Sequence, residues 1–255
     1  MAEQPRRLGP VPVGTKHADC DACPYRDSLR AAGRCTPGDA CLMVESGRQI
    51  DRFLRRNPDL ADSCLSDPFW ERRAVAVRYA PLDAITAMAS DRDEVVRRAV
   101  ALRLSGDALL ELRHDIDREV RITVAARLPA ERLMLLLDDP DYQVRVQVAR
   151  RLPHGKLTRL ADDPEREVRK EVARRLPAFV LDRLAADADA EVRRIVADRA
   201  LPALAARLLS DPDWLVRRNA VRQADPQDLV DLIDDPEPDV RELARGRLAG
   251  MLTED

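Results

Sequence analysis

The sequence predicts an all-α solenoid preceded by a small cysteine-rich module, and three observations carry that reading. Beyond residue 65 one pattern recurs every 24 residues, and a fixed period in the range of roughly 20–50 residues marks a solenoid or array. Within each recurrence the apolar positions fall at i, i+4 and i+8, the stripe of an amphipathic helix. All five cysteines, in contrast, precede the repeats: Cys20, Cys23, Cys35, Cys41 and Cys64. The chain therefore divides into an N-terminal arm with the cysteine module, 1–65, and eight 24-residue repeats, 66–255, the first and last of them degenerate.

Composition narrows the setting. A chain of 255 residues has room for one or two domains at about 100–200 residues each. With 35% charged and 45% apolar residues it is neither disordered by composition nor membrane-spanning. A net charge of −3 gives no bulk attraction to nucleic acid or anionic lipid. Aromatic residues at 3% argue against base-stacking platforms. Three histidines leave little material for histidine-based catalysis. No apolar run approaches the ~18 residues of a membrane helix, and the opening MAEQPRRLGPVPVGTKHADC reads as a Pro/Gly-rich arm without the apolar stretch of a signal peptide. The expected location is the cytoplasm. There thiols stay reduced, and clustered cysteines are metal ligands more often than disulfides.

The module comes first in the chain. Cys20-x2-Cys23-x11-Cys35-x5-Cys41 supplies four thiolates within 22 residues. Cys20 and Cys23 are spaced to share one metal centre, and Pro24 directly after Cys23 matches the C-P of ferredoxin-type ligation. Residues 24–32 read as a short helix ending at Gly33, which brings Cys35 back toward the first pair. Pro37-Gly38 then turns the chain so that Cys41 closes the site. A [4Fe–4S] cluster tolerates such long, unequal spacings because its irons spread the sulfurs over a cube. Structural zinc is the alternative, although zinc sites usually show two short C-x2–4-C knuckles and the second pair here is wider. His17, at H-x2-C, reads as a polar neighbour. Cys64 lies beyond a helix expected over Ser46–Arg56 and reads as a buried structural thiol. Asp39 and Glu45 read as surface residues.

Each repeat then follows one plan. Its anchor is valine in seven units (Val96, Val120, Val144, Val168, Val192, Val216 and Val240), and Arg72 takes that place in the first. An Asp stands five residues before the anchor and an Arg one after it in every unit, and the seven valine units also carry an acid three before it. In the unit that begins at Asp139, Asp139 reads as the helix N-cap and Pro140 as the first helical residue. Arg150 and Arg151 suit the negative helix end. Val144, Val148 and Leu152 form the buried stripe, and Pro153 stops the helix. Leu157 and Leu160 follow in a space that admits only a short α or 3₁₀ turn. Twenty-four residues cannot hold the two helices of HEAT or tetratricopeptide units, at ~34–47 residues. The period does suit leucine-rich repeats, yet their strand signature is missing.

The acid before the anchor and the Arg after it are four apart, a favourable i,i+4 pair. The expected reading is a solvated, self-neutralising face, with a ligand-facing stripe as the alternative. On the solvated reading Arg145→Ala costs under ~1 kcal/mol, whereas Leu160→Ala costs ~2–5 kcal/mol because it opens a cavity.

Motifs for other chemistries are missing. There is no C-x3-C-x2-C, no haem-attaching C-x-x-C-H, no phosphate-cradling glycine loop and no G-x-S-x-G elbow. No enzymatic activity is expected.

A four-cysteine module followed by D-P-D-x-x-V-R-x-x-V-A-x-R-L-P units resembles the leucine-rich repeat variant iron–sulfur proteins of nitrogen-fixing bacteria such as Azotobacter. The resemblance covers residues 20–255. It implies a right-handed superhelix of alternating α and 3₁₀ helices without β-sheet, and a [4Fe–4S] cluster held by Cys20, Cys23, Cys35 and Cys41. It implies no established activity. Departures are local: Ser105 and Asp225 replace the stop proline, Pro202 and Pro226 come one residue late, and Arg72 replaces the first anchor valine.

For function, the leading expectation is a protein-interaction surface, the usual use of a solenoid, with the cluster structural or redox-sensing. An electron carrier docking on a redox enzyme is the alternative. Nucleic-acid binding through the arginine columns is disfavoured by the paired acids and the net charge.

Overall fold

The structure is a computed structural model that describes residues 18–251; His17 lies outside the described residues. The chain groups into two compact units, Met1–Leu128 and Pro129–Asp255. Among the described residues there is no β-strand, only an isolated antiparallel bridge between Thr36 and Ala40.

In the first unit a single π-helical turn, Arg26–Arg30, follows the first cysteine pair, where a short helix over 24–32 was expected. The helix Gly47–Arg56 comes next, with Ser46 at its N-cap position. Two 3₁₀ turns, Pro58–Leu60 and Asp62–Cys64, lead into the repeats. Their longer α-helices are Trp70–Val77, Glu94–Ala101 and Arg118–Arg127, with the short α-helices Leu82–Thr86 and Gly106–Glu111 between them. Gly47–Arg56 packs on Trp70–Val77, which packs on Glu94–Ala101, which packs on Arg118–Arg127. The cysteine module's own helix is therefore the first layer of this stack.

The second unit repeats the same alternation. Ten-residue helices span Tyr142–Arg151, Arg166–Arg175, Ala190–Arg199 and Trp214–Gln223, and Pro238–Met251 follows. Between them lie 3₁₀ stretches such as Ala130–Leu136 and Ala178–Leu184, or a short α turn leading to one, as in His154–Leu157 and Thr158–Leu160. The local departures keep the plan. Pro202 opens a seven-residue α-helix, Pro202–Leu208, and Pro226 opens a 3₁₀ stretch, Pro226–Asp234.

The apolar columns are where the period places them. Val144, Val148, Leu152 and Leu157 are fully buried, and Leu160 is 4% exposed. All seven anchor valines are fully buried. Leu152, ahead of Pro153, is already extended at ψ 137°, because the proline ring excludes a helical conformation for the residue before it.

The polar columns differ from expectation in two ways. The N-cap is Asp141, not Asp139: its side chain accepts a hydrogen bond from the Gln143 amide at 2.8 Å, and Pro140 precedes the helix. Asp139 instead closes a turn by accepting from the Asp141 amide at 2.9 Å, a use for which short acidic side chains are well suited. Asp91, Asp163, Asp187, Asp211 and Asp235 make the same turn.

The arginine after the anchor is not on a solvated face. Arg145 is 8% exposed, and its Nε and Nη2 grip both carboxylate oxygens of Asp163 in the next repeat, at 2.7 and 3.0 Å. Its Nη1 donates to the Asp139 carbonyl at 2.6 Å. The same fork recurs from Arg169 to Asp187, Arg193 to Asp211 and Arg217 to Asp235 in the second unit. In the first unit it runs from Arg73 to Asp91 and from Arg97 to Asp115. Each of these joints thus holds a planar guanidinium, bidentate on a carboxylate, that ties the loop of its own repeat to the loop of the next. The i,i+4 reading failed because the partner lies 18 residues ahead, in the neighbouring layer.

A second arginine column serves the opposite helix end. Arg175 donates to the Leu152 carbonyl at 2.8 Å, and Arg103 to the Val77 and Ala80 carbonyls at 2.6 and 3.0 Å. Each therefore satisfies carbonyls at the C-terminus of the preceding repeat's helix, which have no partner inside that helix.

The ladder has a pH signature. The Arg217 guanidinium hydrogen-bonded to Asp235 holds that carboxyl below its usual value. At Asp115 burial pushes the carboxyl up, but Arg97 and the Asp117 amide outweigh it and the net shift is down. A depressed folded-state pKa contributes stability that is complete above the unfolded value, about 3.9, and is lost as pH falls through the folded value. Urea midpoints are therefore expected to hold steady from about pH 7 to 5 and to drop below about pH 4. A midpoint that stays level through this acid range would show that the ladder adds no stability.

Candidate metal centre

The local sequence explains how the four cysteines are gathered into one module. Asp19 opens the loop by accepting from the amides of Asp21 and Ala22, at 2.9 and 3.3 Å, so the chain curls between Cys20 and Cys23. The turn Arg26–Arg30 ends at Gly33, whose φ of +68° only glycine adopts without strain. Pro37 and Gly38, the latter at φ +79°, make the reversal between Thr36 and Ala40 that carries the chain from Cys35 to Cys41. Asn57, fully buried, clamps the returning segment. Its Nδ2 donates to the carbonyls of Arg34 and Phe53, at 3.0 and 2.8 Å. The Cys41 amide donates to the Gln49 carbonyl at 3.2 Å, which fixes that thiol against the helix Gly47–Arg56. Tyr25 covers the inner side, its ring 5.8 Å from that of Phe53.

The structure brings Cys20, Cys23, Cys35 and Cys41 into one another's electrostatic field. Burial, then the neighbouring charges of Cys41, Cys23 and Cys20, pushes the Cys35 thiol up to about 11. Burial also raises Cys41, where Cys23 and Cys20 add to the effect and the Met43 amide opposes it. Cys35 and Cys41 thus stay protonated without metal, and any metal that binds them must displace their protons. Among the described residues no three His, Cys, Asp or Glu stand close enough together to hold a single ion. A cubane cluster makes no such demand, since each thiolate binds its own iron at a separate corner. The donor set, four cysteines in a half-buried module, fits an iron–sulfur group.

Cys64 is set apart. Its thiol is fully buried and donates to the Leu60 carbonyl at 3.4 Å. Burial pushes it up to about 11, against the Ser63 hydrogen bond and the Arg72 charge, which pull it down. Asp39 is half-buried, not a free surface acid, and pairs with Arg52 and Arg56 to brace the Cys35–Cys41 reversal. Glu45 is half-buried as well.

One functional candidate was missed from the sequence. Arg72, read there as a degenerate anchor, is 1% exposed and lies against the module. Its departure from seven valines was the available signal.

A four-thiol module packed on stacked helical repeats defines an iron–sulfur repeat protein, and comparison with known proteins agrees. Residues 14–63 match the family model described as "LRV protein FeS4 cluster", and residues 118–141, 142–165 and 166–189 match "Leucine rich repeat variant". The chain is similar to a solved "leucine-rich repeat variant with a novel repetitive protein structural motif". That similarity has 55% identity and a TM-score of 0.88, over 92% of this chain and 100% of that one. It is also 40% identical over 98 residues to an "uncharacterized 27.7 kDa protein in nifB 3'region" of Rhodobacter capsulatus. That match spans 38% of this chain and 40% of the relative. The chain belongs to the leucine-rich repeat variant family. No helix among the described residues is long and apolar enough to cross a membrane.

Proposed function

We propose that the protein holds a [4Fe–4S] cluster on Cys20, Cys23, Cys35 and Cys41, and that its repeats form a protein-interaction surface whose docking the cluster either supports structurally or senses through its redox state. The first part is supported by the match of residues 14–63 to the iron–sulfur cluster family model, a span that contains Cys20, Cys23, Cys35 and Cys41 and stops short of Cys64. When bound, the cluster supplies a one-electron centre or a rigid cross-link. The chain's own residues curl the loop (Asp19), clamp it (Asn57) and seat it against the first helical layer.

The interaction role rests on the repeats themselves. The anchor-flanking arginines and the Asp column are consumed in joining layers, so they are not a nucleic-acid stripe. Ile116 at 93% and Phe179 at 78% exposure are single apolar side chains in separate units, not one patch, so the reading is supported by the repeat architecture itself, whose usual use is protein binding. The reading is a binding protein rather than an enzyme, in the cytoplasm, where thiols stay reduced.

Protein made anaerobically with ample iron is expected to be brown and to carry about four iron and four sulfide per chain. Stoichiometric zinc without sulfide would replace this reading with a structural zinc site. An anaerobic affinity capture from native lysate, run in parallel with cluster-free protein, tests the second part. A partner retained by the holoprotein and lost without the cluster is the expected result; equal capture by both forms contradicts a docking role for the cluster.

A further inference from the structure

At the anchor position every other repeat buries a valine completely; the first repeat buries Arg72, 1% exposed. Burying a guanidinium is costly unless its donors and charge are matched. Part of the match is visible. Nη1 donates to Asp67 at 2.7 Å, and Asp67 is the first repeat's member of the Asp column, with no arginine fork from an earlier repeat to hold it. The guanidinium also stands 5.6 Å from the Phe69 ring centre.

Capping Asp67 does not account for the whole side chain. Nη2 reaches out of the repeat to the Val44 carbonyl at 3.3 Å, three residues after Cys41. Nε is buried with no hydrogen-bond partner. A buried cation with an unspent donor is therefore fastened to the segment Cys41–Val44, which carries the one buried member of the four-thiol set.

We propose that Arg72 is the internal counter-cation of the iron–sulfur cluster, a positioning residue that offsets the negative charge of four thiolates on the cluster and sets its reduction potential. This rests on the reading that Cys20, Cys23, Cys35 and Cys41 hold the cluster. A cluster with four thiolates carries net negative charge in either oxidation state, and gaining one electron makes it more negative. A nearby cation in a low-dielectric setting favours the reduced form, and Asp67 beside it opposes that effect. The valine-to-arginine change at this one repeat is then a specialisation of the layer that faces the module.

The test is film voltammetry of the reconstituted full-length protein, the electrode supplying the single electron, with iron and sulfide measured on the same samples. Arg72→Gln, which keeps a polar side chain but removes the charge, is expected to shift the redox equilibrium toward the oxidised form by tenfold or more, about 59 mV for one electron. Asp67→Asn is expected to move the potential the other way, and Arg72→Lys to stay near the parent value. Should Arg72→Gln fail to fold, Asp67→Asn still decides. A residue that merely caps the repeat would change stability and leave the potential alone. An unchanged potential in Arg72→Gln or Asp67→Asn holding full iron overturns the proposal, whereas a parent protein that takes up no iron and sulfide overturns the cluster reading beneath it.

Discussion

Arg145→Ala is expected to destabilise the protein by about 3 kcal/mol, between the loss of a charged hydrogen bond and the breaking of a buried ion pair. The substitution removes both bonds to Asp163 and the bond to the Asp139 carbonyl. It leaves a carboxylate that is 8% exposed without its partner. Leu160→Ala, which opens a cavity beneath the same repeat, is expected to cost about 2–5 kcal/mol. The two substitutions should therefore be comparable in a urea titration, although one removes a charge and the other a core side chain. Arg145→Lys should recover only part of the loss, because an ammonium cannot present the planar fork that spans two carboxylate oxygens. Damage from either change should concentrate in adjacent layers, so hydrogen exchange should weaken first around Tyr142–Arg151 and Arg166–Arg175. A cost for Arg145→Ala below about 0.5 kcal/mol, the usual value at exposed positions, would mean that the joint is ornamental.

The second large effect is expected at the cysteines. Cys20→Ala, Cys23→Ala, Cys35→Ala and Cys41→Ala should each cause loss of most of the bound iron and sulfide, because each thiolate holds a separate corner of the cluster. Cys41→Ala should be the most severe, since that thiol is 3% exposed and leaves little access for water or an external thiol to take its place. Cys64→Ala should keep its iron, its sulfur being committed to the Leu60 carbonyl. Iron retention by Cys41→Ala, or iron loss from Cys64→Ala that is not accompanied by unfolding, would reassign the ligands.

The helical layers were legible in the sequence because burial repeats with the period. Val144, Val148 and Leu152 mark a helix in any one unit, and the same valine column in seven units marks the stack. The joints were not, although both members were visible as columns. Arg145 is four residues from Asp141 and 18 from Asp163, and the local i,i+4 rule made the nearer acid the natural partner. Only the spatial offset between layers makes the farther acid correct and frees Asp141 to cap its helix. The N-cap was misplaced for the same reason, since Asp139 is already spent on its turn. In the module, the roles of Gly33 and Pro37-Gly38 followed from their conformational preferences, and both turns are present. Arg72 was visible as an exception but not as a meaningful one: a column shows that a residue differs, and only the structure shows that it remains buried and faces the cysteines.

Mössbauer spectroscopy of anaerobically purified, iron-enriched protein tests the central claim most directly, because it reads the iron environment and not the iron content alone. A single [4Fe–4S] centre with all-thiolate ligation at every iron is the predicted spectrum, preserved in Cys64→Ala and lost in Cys41→Ala. A mononuclear iron signature, or a cluster that survives in Cys41→Ala, would contradict the assignment of Cys20, Cys23, Cys35 and Cys41 as its ligands.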